Sequence, residues 1–508
     1  MTRSRCRLPA AFARSKSSSL SPSTTKPETR RTIPSGSESR RPRSEGAYRP
    51  HLRTALVLSG TGTAGAYHAG VLRALREAGI KIDLVAAHGI GAGAALLTAV
   101  DGAAGLWEPG GLWRDQRIRR LYNLTPPLAA IRLALILGCA LVMVPLVVLA
   151  AGLLTYPLGF MVQLVSPPVG QGFITRYAAM VGRAFEPAML PTILPRLALF
   201  TLIVIVLIVA GAALRERLAR GDRRRDRGPW WGWALGAPWN AREAANVFRD
   251  ALWKFLRGAA AVRQPTAPEF SRRYAELLGD NLGQPGFTEL MVVAHDLDAR
   301  HDVVFALLAE PFRQKFQREG SSGHRRRAGE LVDLSGTGRH QVLDALSAAL
   351  SLPVLSEAHP VTFPLEGFWQ GETHRLSDRL GLIPRVLDEV AAAGVRQVVL
   401  VSPAAERALP HGLVTRSLTL RSRVAEYLAS EEVASIGDAV SSRAGLFDAL
   451  FRIVPSHNPV SPLDFRGIRD ERSDRTYPLT ELIDRGYEDA YRQFIEPVVG
   501  ASGERLGG

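Results

Sequence analysis

The sequence predicts an α/β fold on a mainly parallel central sheet, interrupted by a two-helix transmembrane hairpin, and three features point there. Residues 54–100 read as strand, glycine-rich turn, helix, strand, tight turn, helix, the order of a parallel α/β arrangement. Two apolar runs, at 133–165 and 197–214, reach or approach the roughly 20 residues that a bilayer crossing takes. A length of 508 residues leaves room for a sizeable core around both.

The first unit opens with an apolar strand at 54–58 ending in Ser59 and Gly60, and the helix at 66–78 puts Val71, Leu72 and Leu75 on one face. Residues 82–86 form a second buried strand. It runs into the turn Ala87-His88-Gly89-Ile90-Gly91-Ala92-Gly93 and a helical stretch at 94–100. Gly60, Gly62 and Gly65 also spell G-x-G-x-x-G between strand and helix, with Asp83 at about the distance of a ribose contact. In a dinucleotide fold that acid should close the second strand, whereas Asp83 opens it, which counts against nucleotide binding.

No charged residue occurs from 133 to 165, and Pro145 and Pro157 are expected to kink this run or end its spanning part early. The expected spans are 133–156 and 197–214. Arg114, Arg117, Arg119, Arg120 and Arg132 precede the first, and Arg215, Arg217, Arg220, Arg223, Arg224, Arg225 and Arg227 follow the second. The loop between has Arg176, Arg183 and the border residue Arg196, so the basic bias puts both outer flanks, and the α/β domain, on the cytoplasmic side. Trp230, Trp231, Trp233 and Trp239 are expected at headgroup level, against the alternative of ordinary packing. A pair of buried core helices is the rival to the whole hairpin.

The formal charge of +15 is concentrated at the start, where the first fifty residues carry twelve Lys or Arg and three acidic residues. That segment is poor in apolar residues and reads as a disordered basic tail, compatible with a transit peptide or an over-extended start, and no nucleic-acid partner is inferred from it. Cys6 and Cys139 offer neither a disulfide framework nor metal spacing.

The stretch LVLSGTGTAGAYHAGVLRALREAGIKIDLVAAHGIGAGAALLTA at 56–99 resembles the start of a patatin-like phospholipase domain, where a glycine-rich oxyanion loop, a Gly-Ala-Tyr helix start and a G-x-S-x-G elbow follow in this order. Tyr67, Gly70, Val71, Leu72, Leu75, Gly79 and Asp83 match. Further on, 290–308 resembles the family's strand, Asp-Leu-Asp turn and returning strand, 343–353 its Ala/Ser-rich helix, 375–384 its Asp-Gly-Gly strand end, 397–402 the strand after it and 479–494 its closing helix. The resemblance implies a three-layer domain in two parts, 51–106 and 266–403, divided by a membrane insertion at 107–265 and followed by a C-terminal helical part at 404–508, with the tail at 1–50. Residues 221–285 are expected to form an amphipathic, partly interfacial connector, and 321–338 and 455–477 irregular loops.

The resemblance also implies lipid acyl hydrolysis by a Ser-Asp dyad, with aspartate as base and backbone N–H groups around the oxyanion. In this chain the elbow falls on Ala87, His88, Gly89, Ile90 and Gly91, so Gly89 stands at the nucleophile position. Sliding the motif by two puts Gly91 there; neither register supplies a serine. Asp378 matches the dyad acid, although Arg379 and Leu380 replace the glycines that normally follow and the spacing to Pro384 is short. The oxyanion loop maps to Gly60, Thr61, Gly62 and Gly65, with Ala64 where a basic residue is usual. Ser59, Thr61, Thr63 and His88 are candidates for a relocated nucleophile, against the reading that the hydroxyls bond their own loop. His295, Asp296, Asp298, His301 and Asp302 read as a polar turn rather than metal ligands, and no cofactor or metal is expected. The resulting expectation is a membrane-anchored, catalytically silent protein of lipid metabolism that binds lipid or a protein partner in the old acyl pocket. An active hydrolase with a non-standard nucleophile and a nucleotide-binding regulator are the alternatives.

Overall fold

Strand β1 (Thr54–Leu58) lies inside the main sheet, paired in parallel with β2 (Leu84–Ala87) on one side and β8 (Gln397–Val401) on the other. In this computed structural model the described residues are 48–186, 193–220, 236–318, 329–404, 419–456, 459–460, 462–470 and 473–500. All but the last three residues of the expected basic tail, and Trp230, Trp231 and Trp233, lie outside them.

The sheet continues through β3 (Glu289–Asp296), β4 (His301–Leu307) and β5 (Leu331–Asp333), and on the other flank through β9 (Ala449–Ile453), in the order β5-β4-β3-β2-β1-β8-β9. Five of these neighbouring pairs are parallel and β3 with β4 is antiparallel. The hairpin of β6 (His359–Thr362) and β7 (Thr373–Ser377) joins β3 antiparallel at its carboxyl end. Strands β10 (Pro459–Val460), β11 (Ile468–Asp470) and β12 (Ser473–Tyr477) make a separate small sheet.

Side chains alternate across a strand, and β1 divides accordingly: Leu56 and Leu58 enter one apolar cluster, Ala55 and Val57 the other. The first cluster takes in helices α1 (Ala64–Glu77) and α2 (Gly91–Ala99). The second is closed by α11 (Ile383–Ala392) and α12 (Leu420–Arg443), which gives helix, sheet and helix layers. Helices α3 (Pro126–Ala150), α4 (Gly152–Val165), α5 (Pro167–Ala184) and α6 (Leu194–Arg220) form the insertion. Then come α7 (Ala241–Arg257), α8 (Ala267–Asn281), α9 (Phe312–Arg318), α10 (Val342–Leu350) and finally α13 (Thr480–Ala490).

Within the insertion α3 packs along α6 and α4 along α5. Two stretches, Pro126–Val165 and Pro195–Arg215, are long and apolar enough to cross a bilayer, longer at the first than the expected 133–156. Pro145 and Pro157 sit inside helices, and the interruption falls between them at Ala151. There the Tyr177 hydroxyl reaches the carbonyls of Val148 and Leu149 at 2.8 and 2.9 Å, supplying a donor where the helical ladder breaks.

Three expectations are corrected. The limits 107–265 overstate the insertion: Trp113, Tyr122 and Phe248 are buried in the α/β core, because α7 presents Val247, Phe248 and Leu252 on one face. Trp239 is buried in the core cluster, which is the packing alternative to a free headgroup contact, and the described part of 221–285 folds as α7 and α8 against the core. The part at 404–508 is not simply helical, since β9 extends the main sheet beside β8.

Candidate functional site

The chain turns sharply between β2 and α2. At the corner Gly89 has φ +57°, and its backbone carries it between the β1 turn and the strand end after β7. A Cβ built there would collide with the carbonyl oxygen of Gly60 and lie 3.1 Å from Oδ2 of Asp378. The same Gly60 carbonyl accepts the N–H of Ile90 at 3.0 Å. Gly91 already begins α2, so the corner is at Gly89 and the shifted register fails.

Asp378 follows β7 directly, and its backbone N–H donates to the Ser351 carbonyl at the end of α10 (2.9 Å). Its Oδ1 lies 3.1 Å from Nδ1 of His88. On the far side of the ring, Nε2 of His88 faces Oε1 of Glu432, on α12, at 3.0 Å, a close approach without hydrogen-bond alignment. Side-chain exposure is 1% for His88, 3% for Asp378 and 4% for Glu432, so the three groups form a closed triad. Burial opposes charge on His88, but Glu432 and then Asp378 outweigh it and push the imidazole up to about 10. Burial raises Asp378, with His88 pulling the other way. Tyr122 lies close enough for Asp378 to add to the upward shift that burial imposes on its phenol.

The turn after β1 is equally closed. Gly62 has φ +61°, and a Cβ on it would strike the carbonyl of Pro462. That carbonyl accepts the N–H of Thr63 at 2.7 Å, while the N–H groups of Ala64 and Gly65 turn back to Thr61 and Gly62. Gly65 is packed against the Trp113 ring, and Ala64 is buried. An oxyanion site needs N–H donors aimed where negative charge develops. Here a carbonyl faces the corner instead. The Ser59 hydroxyl donates across the sheet to the Val401 carbonyl on β8 at 3.1 Å, and the buried Thr63 hydroxyl makes no hydrogen bond among the described residues, so neither is seen bonded to its own loop. Asp83 accepts the N–H of Thr54 (2.9 Å) at the start of β1, the opposite end of the strand from Gly60, which disfavours the dinucleotide arrangement.

The polar residues around the β3–β4 turn pair among themselves and with β7. His295 meets Asp302 at 2.8 Å, Asp302 meets Arg379 and Asp298 meets Arg375 at the same distance, and Asp296 meets His374 at 2.6 Å. Unlike a solvated turn residue, Asp296 is fully buried, and its other oxygen takes the N–H groups of Asp298 and Ala299. His301 stacks on Trp369.

Gly89, Asp378 and the Gly60–Gly65 turn, far apart in sequence, thus meet at one place. Sequence reasoning missed Glu432, which lies in a helix whose pattern gives no hint of a site, and it noticed His88 without assigning it a partner. The available signal was an imidazole in the narrow second position of the elbow, a residue that must find hydrogen-bond partners once buried.

No curated protein matches the chain. A solved structure of VipD from Legionella pneumophila aligns over 89% of this chain and 67% of that one, with 12% identity and a TM-score of 0.29, too weak a likeness to carry a conclusion. The model of the patatin-like phospholipase family matches residues 56–375. That span includes the Gly89 corner, stops three residues before Asp378 and takes in more than half of the sequence, and the chain therefore belongs to the patatin-like phospholipase family.

Proposed function

We propose that the chain is a membrane-anchored patatin-like protein of lipid metabolism that has lost acyl-hydrolase chemistry and acts by binding, with membrane lipid or a protein partner as the occupant. The observation that carries this reading is the corner at Gly89: glycine faces the Asp378 carboxylate, and the Gly60 carbonyl stands where a side chain would begin. Acyl transfer needs an attacking oxygen, a free base and N–H donors. Gly89 offers no oxygen, Asp378 is held by His88, and the Ile90 and Thr63 N–H groups are spent on carbonyls. Losing a serine nucleophile costs on the order of a millionfold in turnover. Buried Asp378 and Glu432 also leave the polar centre closed, so binding falls to the surface around it rather than to the dyad itself.

Membrane anchoring is supported by exposure. In α4 Leu164 and Val165 are 83% and 88% exposed, whereas the valines and leucines of β1 are fully buried. Apolar surface of that extent is stable in hydrocarbon, not in water. The arginines before α3 and after α6 favour the cytoplasmic side for the α/β unit.

The test is hydrolysis of phospholipid and of p-nitrophenyl esters by the purified full chain, alongside labelling by a fluorophosphonate probe. We expect neither above the protein-free background. Turnover that disappears in Asp378→Ala would overturn the proposal. Gly89→Ser is expected to stay inactive, because the Gly60 carbonyl crowds the new side chain and Asp378 is held by His88.

A further inference from the structure

Helix α3 leaves the α/β unit through a small backbone junction. The Thr125 N–H donates to the Pro238 carbonyl (3.0 Å), Leu124 pairs with Trp239, and the Trp239 N–H donates to Leu355 (2.9 Å). The Arg421 guanidinium lies over the Trp239 ring at 5.3 Å and donates to the carbonyls of Leu121 and Tyr122 at 3.2 and 3.1 Å. Residues 121–125, 238–239, 355 and 421 are therefore one connected root beneath Pro126, the first residue of the helix.

Two large apolar side chains project from that root, largely uncovered by the described residues. Leu355 donates its N–H back to Pro353 at 2.7 Å, which makes a tight three-residue turn around Val354 at φ +65°. Positive φ is rare for a β-branched residue, and this kind of turn is a strained one. The strained turn throws Val354 outward to 93% exposure. Leu420, next to Arg421 at the start of α12, is 76% exposed. A fold that bends its backbone to expose a valine keeps the strain where the exposed group is used. Arg119 and Arg120, also exposed, precede the same root by a few residues and suit lipid phosphates.

Resting on the membrane reading above, we propose that Val354 and Leu420 are lipid-inserting contacts that seat the α/β unit on the leaflet from which α3 emerges. The occupant is the lipid surface itself, because the exposed pair is continuous with the helix that enters it. The Val354 turn also follows Ser351, whose carbonyl holds the Asp378 backbone, so the seat lies beside the closed triad.

The experiment uses the full chain with Cys6→Ser, reconstituted in vesicles of phosphatidylcholine and phosphatidylglycerol. An environment-sensitive fluorophore is placed on Cys139 in α3, or, with Cys139→Ala, on Val354→Cys, Leu420→Cys or Asp101→Cys. Asp101 lies at the opposite end of the sheet, beside Arg76 at the end of α1. Labels at 354 and 420 are expected to emit to the blue of the label at 101, to be quenched by doxyl-labelled lipid and to be shielded from aqueous iodide. Iodide quenching at 354 or 420 equal to that at 101 overturns the proposal, as does shielding from both quenchers, which would mean a protein partner or a second copy. If the label at 139 also escapes the doxyl lipid, the spanning reading has failed; if 139 is quenched and 354 is not, the seat alone has failed.

Discussion

Two histidines in this chain each lie between two carboxylates, and they end up in different states. His88 sits between Asp378 and Glu432, with both acids buried. His374 sits between Asp296, which is fully buried, and Glu372, whose side chain is 69% exposed. In both, burial works against the charged ring and the carboxylates work for it, and in both the imidazole is raised. The difference is water. Around His374 solvent reaches one acid and can replace the ring. Around His88 both acids are buried with the ring between them, so this constellation is closed to solvent beside the Gly89 corner.

The comparison breaks most visibly if His88 is removed alone. His88→Leu leaves Asp378 and Glu432 facing each other without a cation, and taking away one partner of a buried ionic group costs about 3–5 kcal/mol. We expect a large fall in the denaturant midpoint of the full chain in detergent. The triple variant His88→Leu, Asp378→Leu, Glu432→Leu should recover most of it, because an apolar set replaces the ionic one whole. A single variant as stable as the parent would show that the triad is not ionic.

Titration sharpens the same contrast. The folded value of His88 lies above its ordinary 6.5, so the stability it supplies is complete below about pH 6.5 and is lost as the pH rises through about 10. Asp378 is also raised, chiefly by burial, but its cost sets in as the pH climbs past the ordinary carboxylate value, well below the alkaline window. Unfolding midpoints followed from pH 6 to pH 10 should therefore decline, and the decline should be absent from the triple variant.

His374→Asn should cost less, about 1–3 kcal/mol, the penalty of leaving one buried acceptor short of a donor. Asp296 keeps the N–H groups of Asp298 and Ala299, and Glu372 turns to water. A loss as large as that of His88→Leu would mean that the second constellation is as closed as the first.

Much of the frame around both histidines was legible in the sequence. Apolar runs bounded by glycine or by polar turns locate β1, β2, β3, β4 and β8, and the register of Asp83, Leu84 and Val85 fixes the corner on Gly89. What stayed hidden needs contacts between distant segments. Glu432 belongs to a long helix with no sharp apolar face, and only folding brings it to His88. The direction of the Gly60 carbonyl is a backbone fact that side-chain patterns do not carry. Trp239 follows an arginine-rich, tryptophan-rich stretch, so its composition points to the membrane interface. Its hydrogen bond to Leu355 and its place under Arg421 bury it instead.

A third histidine gives the smallest expected effect and the most local one. His68 is fully buried with no carboxylate beside it; its Nε2–H donates to the Ser59 carbonyl at 2.9 Å. Burial, helped by the charge on nearby His88 and opposed by the Ser59 bond, lowers it to about 4. Its folded value is below its unfolded one, so it costs nothing at neutral pH and destabilises only as the pH falls below about 6.5 toward about 4. If His88 is the cation that its two acids imply, His88→Leu should move the His68 titration upward, read from its ring proton shifts by NMR. If His68 titrates at the same pH in parent and variant, His88 carries no charge in the folded chain and the two-acid triad loses its cation.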